Sequence, residues 1–120
     1  MSHNIIDSSI TFFNNPVHNN TIFTNDFRYF LPFGYKVQVG GKKYEINYPL
    51  YFQYQDDRFV MNSPLFGIYL DEATLSKLNN SLASDVDFLW NCYGLSKSEE
   101  LDASAQELRE AVLKYIRLVD

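Results

Sequence analysis

The sequence of 120 residues is poor in the residue types from which metal and thiol sites are built. It has one cysteine, Cys92, and two histidines, His3 and His18. A single cysteine excludes a disulfide within the chain and a multi-thiolate zinc site. The two histidines lie in a loop-rich region without a cluster of acidic or cysteine ligands. We therefore expect neither a bound metal nor another cofactor.

Catalytic groupings are also missing from the sequence. Gly40 and Gly41 lie between two predicted strands and precede no helix, which is the wrong context for a phosphate-binding loop. Cys92 falls late in a predicted amphipathic helix with no histidine after it, and we expect a buried or half-buried thiol there. Asp56 and Asp57 are neighbours on a predicted turn, where two carboxylates do not converge on one bond. The sequence predicts a protein that is not an enzyme.

Long apolar runs and a basic patch are absent too. The apolar runs are far shorter than the roughly 20 residues that cross a bilayer, and the start lacks a signal-peptide pattern, so we expect a cytoplasmic protein without membrane contact. The net charge is −5, and residues 66–120 carry ten acidic against five basic side chains. Without a lysine and arginine patch, direct binding to duplex nucleic acid is not expected.

Aromatic residues, by contrast, make up 17% of the chain, and most of them fall in predicted strands. Residues 35–39 alternate apolar and polar side chains, which is the period of a half-buried strand. The glycine pair would join this strand to residues 43–48 in a hairpin. Further strands are predicted at residues 9–13, 27–31, 50–54, 58–62 and 66–70, with residues 55–57 as the turn of a second hairpin.

Two amphipathic helices are predicted in the second half. A stripe of apolar residues at steps of three and four begins at Leu75 and ends at Tyr93, with Asp71 or Thr74 as the N-cap and Gly94 as a left-handed C-cap. A second stripe runs from Leu101 to Val119, with Asp102 or Ser104 as its cap. The helices are predicted over residues 71–94 and 101–119.

Together these patterns predict a single α+β domain over residues 1–120. An irregular or strand-containing segment (1–34) and two β-hairpins (35–70) would form an antiparallel, aromatic-rich sheet. The two helices would be antiparallel to each other and pack on one face of that sheet, because each has one apolar stripe to bury.

The segment FGIYLDEATLSKLNNSLASDVDFLW, in which a strand is followed by a threonine-led helix, resembles the stand-alone relatives of HicB-type antitoxins. Thr74 and Leu75 occupy the turn that opens the helix in that family, and Leu78 and Leu82 continue the helix. Residues 90–113 are similar to the rest of such proteins, so the resemblance covers about residues 43–113. It implies a partial RNase H-like sheet without nuclease carboxylates, and binding of a protein, often a basic toxin.

The leading functional hypothesis is a small, acidic, antitoxin-like protein that neutralises a partner by occlusion. The partner would be a basic protein, such as a toxin, a nuclease or an effector complex. The predicted partner-binding carboxylates lie on solvent-facing helix surfaces and on one turn: Asp56, Asp57, Asp85, Asp87, Glu107 and Glu110. A phage or mobile-element inhibitor, such as an anti-CRISPR or immunity protein, is the alternative. An enzyme with an unrecognised site and a homodimeric structural module are less favoured.

Overall fold

The computed structural model describes residues 27–119, which form two antiparallel sheets and two helices. The elements in chain order are β1 (Phe27–Phe30), β2 (Tyr35–Val39), β3 (Lys42–Ile46), β4 (Tyr51–Gln55), β5 (Arg58–Ser63), β6 (Ile68–Glu72), α1 (Leu75–Leu89), α2 (Ala103–Tyr115) and β7 (Ile116–Leu118). The predicted α+β class, with strands first and helices second, is confirmed. The strand predicted at residues 9–13 lies outside the described residues.

The four-stranded sheet has the order β1-β4-β5-β6. Its centre is the predicted second hairpin, in which Gln55 pairs with Arg58 across a two-residue turn. Both turn residues have positive φ, 54° at Asp56 and 61° at Asp57. This conformation matches the right-handed twist of a hairpin, and aspartate tolerates it better than most residues do. The two aspartates are thus turn residues, as predicted.

The three-stranded sheet has the order β2-β3-β7. The predicted glycine hairpin joins β2 to β3, and Val39 pairs with Lys42 on either side of the turn. Gly40, at the first central position, has a φ of 59°, a conformation that costs glycine little. The strands are therefore divided between two sheets, whereas the sequence pattern suggested one.

The third strand of this sheet corrects the prediction of a helix over residues 101–119. The helix α2 ends at Tyr115, and Ile116 is already extended, with φ −115° and ψ 136°. Ile116 pairs with Ile46 and is 3% exposed. The apolar spacing of residues 112, 115 and 119 fits a helix, but an edge strand was available in β3, and pairing with it satisfies the backbone of β7.

Strand β6 begins two residues later than predicted, because Pro64–Phe66 form a 3₁₀ turn that ends at Gly67 with a φ of 65°. Asp71 consequently lies in the strand, where its carboxylate pairs with Arg58 at 2.8 Å, and it does not cap α1. The N-cap of α1 is Thr74, whose hydroxyl accepts a hydrogen bond from the Lys77 amide at 3.1 Å. Asp102 caps α2 by accepting from the amide of Ala105 at 2.9 Å.

The end of α1 also differs from the prediction. The helix continues into a π-helical turn, Trp90–Gly94, and Gly94 does not adopt the left-handed conformation expected of a C-cap. Gly94 is instead buried, and a Cβ placed on it would lie 3.3 Å from the Trp90 ring and 3.4 Å from Val112. Close packing of the turn against α2 therefore explains this glycine better than backbone conformation does.

The core lies between the two sheets and the helices. Helix α1 contacts β2 of one sheet and β6 of the other, while α2 contacts the π-helical turn, the 3₁₀ turn at residues 64–66 and β7. The largest fully buried side chains come from both sheets and both helices: Tyr44, Phe52, Phe66, Ile46, Met61, Leu82, Val37, Val86 and Val112. Within residues 27–119, no helix is long and apolar enough to cross a membrane.

Candidate functional site

The six carboxylates predicted to bind a partner are distributed over three elements and do not form one group. Asp56 and Asp57 are exposed at the β4–β5 turn, and Asp57 accepts a hydrogen bond from the Tyr54 hydroxyl at 3.1 Å. Glu107 and Glu110 are exposed on α2, three residues apart and thus on one side of the helix.

Asp85 and Asp87 lie on opposite sides of α1, because two residues of an α-helix are about 200° apart around the axis. Both were predicted to face solvent. This prediction is wrong, because both side chains are half-buried. Asp87 faces the three-stranded sheet, whereas Asp85 lines a cleft beside α2.

Asp87 joins α1 to the first hairpin. Its carboxylate pairs with the Lys42 ammonium at 2.8 Å and accepts a hydrogen bond from the Tyr44 hydroxyl at 2.5 Å. These two bonds hold the pKa of Asp87 below its ordinary value, with the Lys42 bond contributing most. Burial is the largest cause that raises the pKa of Tyr44, and the hydrogen bond to the Asp87 carboxylate raises it further. Asp87 is therefore a structural residue, since its charge is already compensated within the fold.

Asp85 lies in an apolar cleft of about 260 Å³ between α1, α2 and the start of β6. The apolar lining comes from Phe66, Ile68, Leu89 and Leu108, and the rings of Phe88 and Tyr93 also border the cleft. Asp85 is the one charged side chain among the described residues that line it. The cleft therefore combines a hydrophobic surface with a single negative group, which is a composition typical of binding pockets.

The Asp85 carboxylate has no ionic partner among residues 27–119, where the ion pairs of α1 and the sheets involve Asp87, Asp71 and Glu45. Burial raises its pKa above the ordinary value, because the apolar walls disfavour the charged form. A carboxylate that is partly desolvated and uncompensated destabilises the folded state. A cation placed in the cleft would remove this penalty.

Cys92, which lies in the π-helical turn, is exposed, contrary to the prediction of a buried or half-buried thiol. Residues 27–119 contain no group of three or more histidine, cysteine or acidic side chains that could hold a metal ion. The described part of the molecule does contain an apolar cleft with a carboxylate in its wall.

The cleft was not predicted, although the sequence contains a signal for part of it. Asp85 directly precedes Val86 and follows Leu82 by three residues, so that it lies at the border of the apolar stripe of α1. Phe88 lies one turn further along the same side, and 58% of it is exposed. The walls from Phe66 and Leu108 could not be inferred, since they come from elements that are distant in sequence.

We expect the substitution Asp85→Asn to raise the midpoint of thermal unfolding at pH 7. The reason is that the folded state holds the charged carboxyl in apolar surroundings, which raises its pKa above the ordinary value of 3.8. A raised carboxyl pKa lowers stability at higher pH, where the Asp85 carboxyl is charged in both the folded and the unfolded state. This penalty disappears as the pH falls below the unfolded-state pKa. Thermal unfolding followed by circular dichroism should therefore show a higher midpoint for Asp85→Asn at pH 7 and a smaller difference at pH 3.

Glu99→Gln is the matched control, because Glu99 is exposed and outside the cleft. It removes the same charge and should leave the midpoint nearly unchanged, as exposed substitutions usually do. A lower midpoint for Asp85→Asn than for the unchanged protein at pH 7 would show that the Asp85 charge is stabilising and would contradict this account of the cleft.

Comparisons with protein-family models, with curated proteins and with solved structures found no match for this chain. The resemblance of residues 43–113 to HicB-type antitoxins is therefore untested and stays a prediction.

Proposed function

We propose that this chain is a small, non-catalytic inhibitor that binds a basic protein and blocks it by occlusion, in the manner of an antitoxin. The observation that carries the proposal is the Asp85 carboxylate in the apolar cleft beside α2, which has no ionic partner among residues 27–119. A protein interface commonly has an apolar centre with a charged or polar rim, and the cleft, with the exposed Phe88 beside it, has this composition.

The charge of the surrounding surface favours a basic partner. Glu107 and Glu110 are exposed on α2 and form no ion pair with another residue in the described range. Leu108, between them in sequence, lines the cleft. Exposed carboxylates without an internal ion pair attract a positively charged partner and disfavour an acidic one.

The double substitution Glu107→Lys/Glu110→Lys should abolish capture of the partner. The immobilised protein is exposed at micromolar concentration to a lysate of the cells that encode it, and bound proteins are identified by mass spectrometry. We expect a basic protein, present at a stoichiometric ratio and released by about 0.5 M salt, because salt screens surface charge. Charge reversal replaces an attraction with a repulsion, and its main effect should be a lower rate of association.

The matched control is Glu99→Lys/Glu100→Lys, which reverses two exposed charges in the short link before α2. This variant should still capture the partner. The captured protein is then purified, and its activity should fall to zero as one equivalent of the chain is added. Absence of any stoichiometric partner, or equal capture by both double variants, would count against the proposal.

A further inference from the structure

The size of the cleft limits what it can hold. Its volume of about 260 Å³ lies below the range of about 300 to 1,000 Å³ that is usual for cofactors and drug-sized ligands. A single long amino-acid side chain fits better. The walls from Phe66, Ile68, Leu89 and Leu108 can cover an aliphatic stem, and Asp85 can bind a charged end.

We propose that the cleft receives one arginine side chain of the partner protein, with the guanidinium group against the Asp85 carboxylate and near the Phe88 ring. The inference rests on the proposed function in that the arginine belongs to a protein partner. It goes further by naming the group that is recognised and the residues that recognise it.

Charge complementarity is the first argument for an arginine. The Asp85 carboxylate has no ionic partner within residues 27–119 and is half-buried among apolar side chains. A guanidinium group presents five N–H donors in a planar fork that matches the two carboxylate oxygens. Its N–H groups would supply the hydrogen bonds that the Asp85 carboxylate loses where the apolar walls exclude water. An anionic occupant would meet repulsion, and an apolar one would leave the carboxylate further desolvated.

The exposed ring of Phe88 is the argument for arginine over lysine. Phe88 is 58% exposed although it borders an apolar cleft, and it meets the Tyr93 ring in a T-shaped contact at 6.4 Å between centroids. A guanidinium group stacks on an aromatic face and loses hydration more readily than an ammonium group does. The ammonium group of lysine is compact and strongly hydrated. It would neither stack on the Phe88 ring nor bind both carboxylate oxygens in a planar fork.

The test is a titration of the full ¹⁵N-labelled chain with N-acetyl-arginine methylamide, followed by two-dimensional NMR. We expect shifts concentrated on the amides of Gly67, Asp85, Phe88 and Tyr93, which line the cleft. N-acetyl-citrulline methylamide is the matched probe, since it has nearly the same shape and no charge. It should bind about tenfold or more weakly, as expected when a charge-assisted pair is lost. The corresponding lysine derivative should also bind more weakly than the arginine derivative.

Three variants test the named residues. Asp85→Asn should weaken arginine binding about tenfold or more, and Phe88→Ala should weaken it while leaving the charge in place. Glu99→Gln should bind the arginine derivative as the unchanged chain does. The fold of each variant is checked in its own NMR spectrum. Equal binding of citrulline, equal binding of lysine, unchanged binding by Asp85→Asn, or shifts outside the cleft would each overturn the proposal.

This experiment is independent of the natural partner, so that the two proposals can fail separately. If the arginine derivative binds as described and no basic protein is captured from lysate, the inhibitor function is wrong and the arginine-binding cleft stands. If a basic protein is captured and the arginine derivative does not bind in the cleft, the inhibitor function stands and the arginine inference is overturned.

Discussion

Replacing Tyr44 with alanine is expected to lower the free energy of unfolding by about 3 to 5 kcal/mol, the usual range for removing a buried ring. Tyr44 is fully buried in β3, and its ring lies 5.9 Å from that of Trp90. Its hydroxyl donates to Asp87, so the substitution also removes one of the bonds that compensate this carboxylate. Total stabilities of about 5 to 15 kcal/mol leave little margin for such a loss.

Tyr44→Phe separates the ring from the hydroxyl. It keeps the packing and removes only the hydrogen bond to Asp87, and we expect a loss of about 1 to 2 kcal/mol. Both variants are compared with the unchanged protein by urea denaturation at pH 7. If the phenylalanine variant loses as much stability as the alanine variant, then the polar contact, and not the buried ring, holds β3 against α1.

The pH dependence of Tyr44→Phe provides a second readout. The pKa of Asp87 is lowered by Lys42 and Tyr44 in the folded state. A lowered carboxyl pKa contributes stability that is present above the unfolded-state pKa and is lost as the pH falls through the folded-state pKa. The difference between Tyr44→Phe and the unchanged protein should therefore be largest at neutral pH and shrink in acid. A difference that grows in acid would contradict this assignment.

Replacing Ile116 with alanine is expected to lower the free energy of unfolding by about 2 to 5 kcal/mol. Ile116 begins the strand β7, is 3% exposed, and pairs with the equally buried Ile46 of β3. The substitution leaves a cavity at the junction of the three-stranded sheet and α2. Urea denaturation at pH 7 measures the loss.

Leu118→Ala is the control for this strand, because Leu118 belongs to the same ladder and is 39% exposed. We expect it to lose about 1 kcal/mol or less, since much of the side chain is already in water. A larger loss at Leu118 than at Ile116 would contradict the placement of β7. This pair of variants thus tests β7, a strand where the sequence pattern predicted a helix.

The residues of the candidate cleft could be predicted in part. The excess of acidic residues in the second half drew attention to α1 and α2, and Asp85, which lines the cleft, was among the six candidates. Composition could not distinguish Asp85 from Asp87, which are only two positions apart. Their environments are decided by which element packs on each side of α1. The hairpin of Lys42 and Tyr44 compensates Asp87, and Asp85 lies in an apolar cleft without an ionic partner among the residues that the structure describes.

Local features of this protein were determined by the sequence alone. The two hairpins follow from alternating strands around Gly40-Gly41 and Asp56-Asp57, and the apolar stripes of α1 and α2 follow from spacing at three and four. The N-cap residues Thr74 and Asp102 were among the predicted alternatives, because a cap needs only its own side chain and the next turn of helix.

Tertiary structure alone decided the features that depend on distant partners. Residues 116–118 form a strand because β3 offers an edge for pairing, although their apolar spacing also fits a helix. Gly94 is buried because the Trp90 ring and Val112 meet there, a contact that joins the π-helical turn to α2. The cleft around Asp85 exists because three elements leave a gap between them. Pairing, packing and cavities are properties of residues far apart in the chain, and a local pattern carries no information about them.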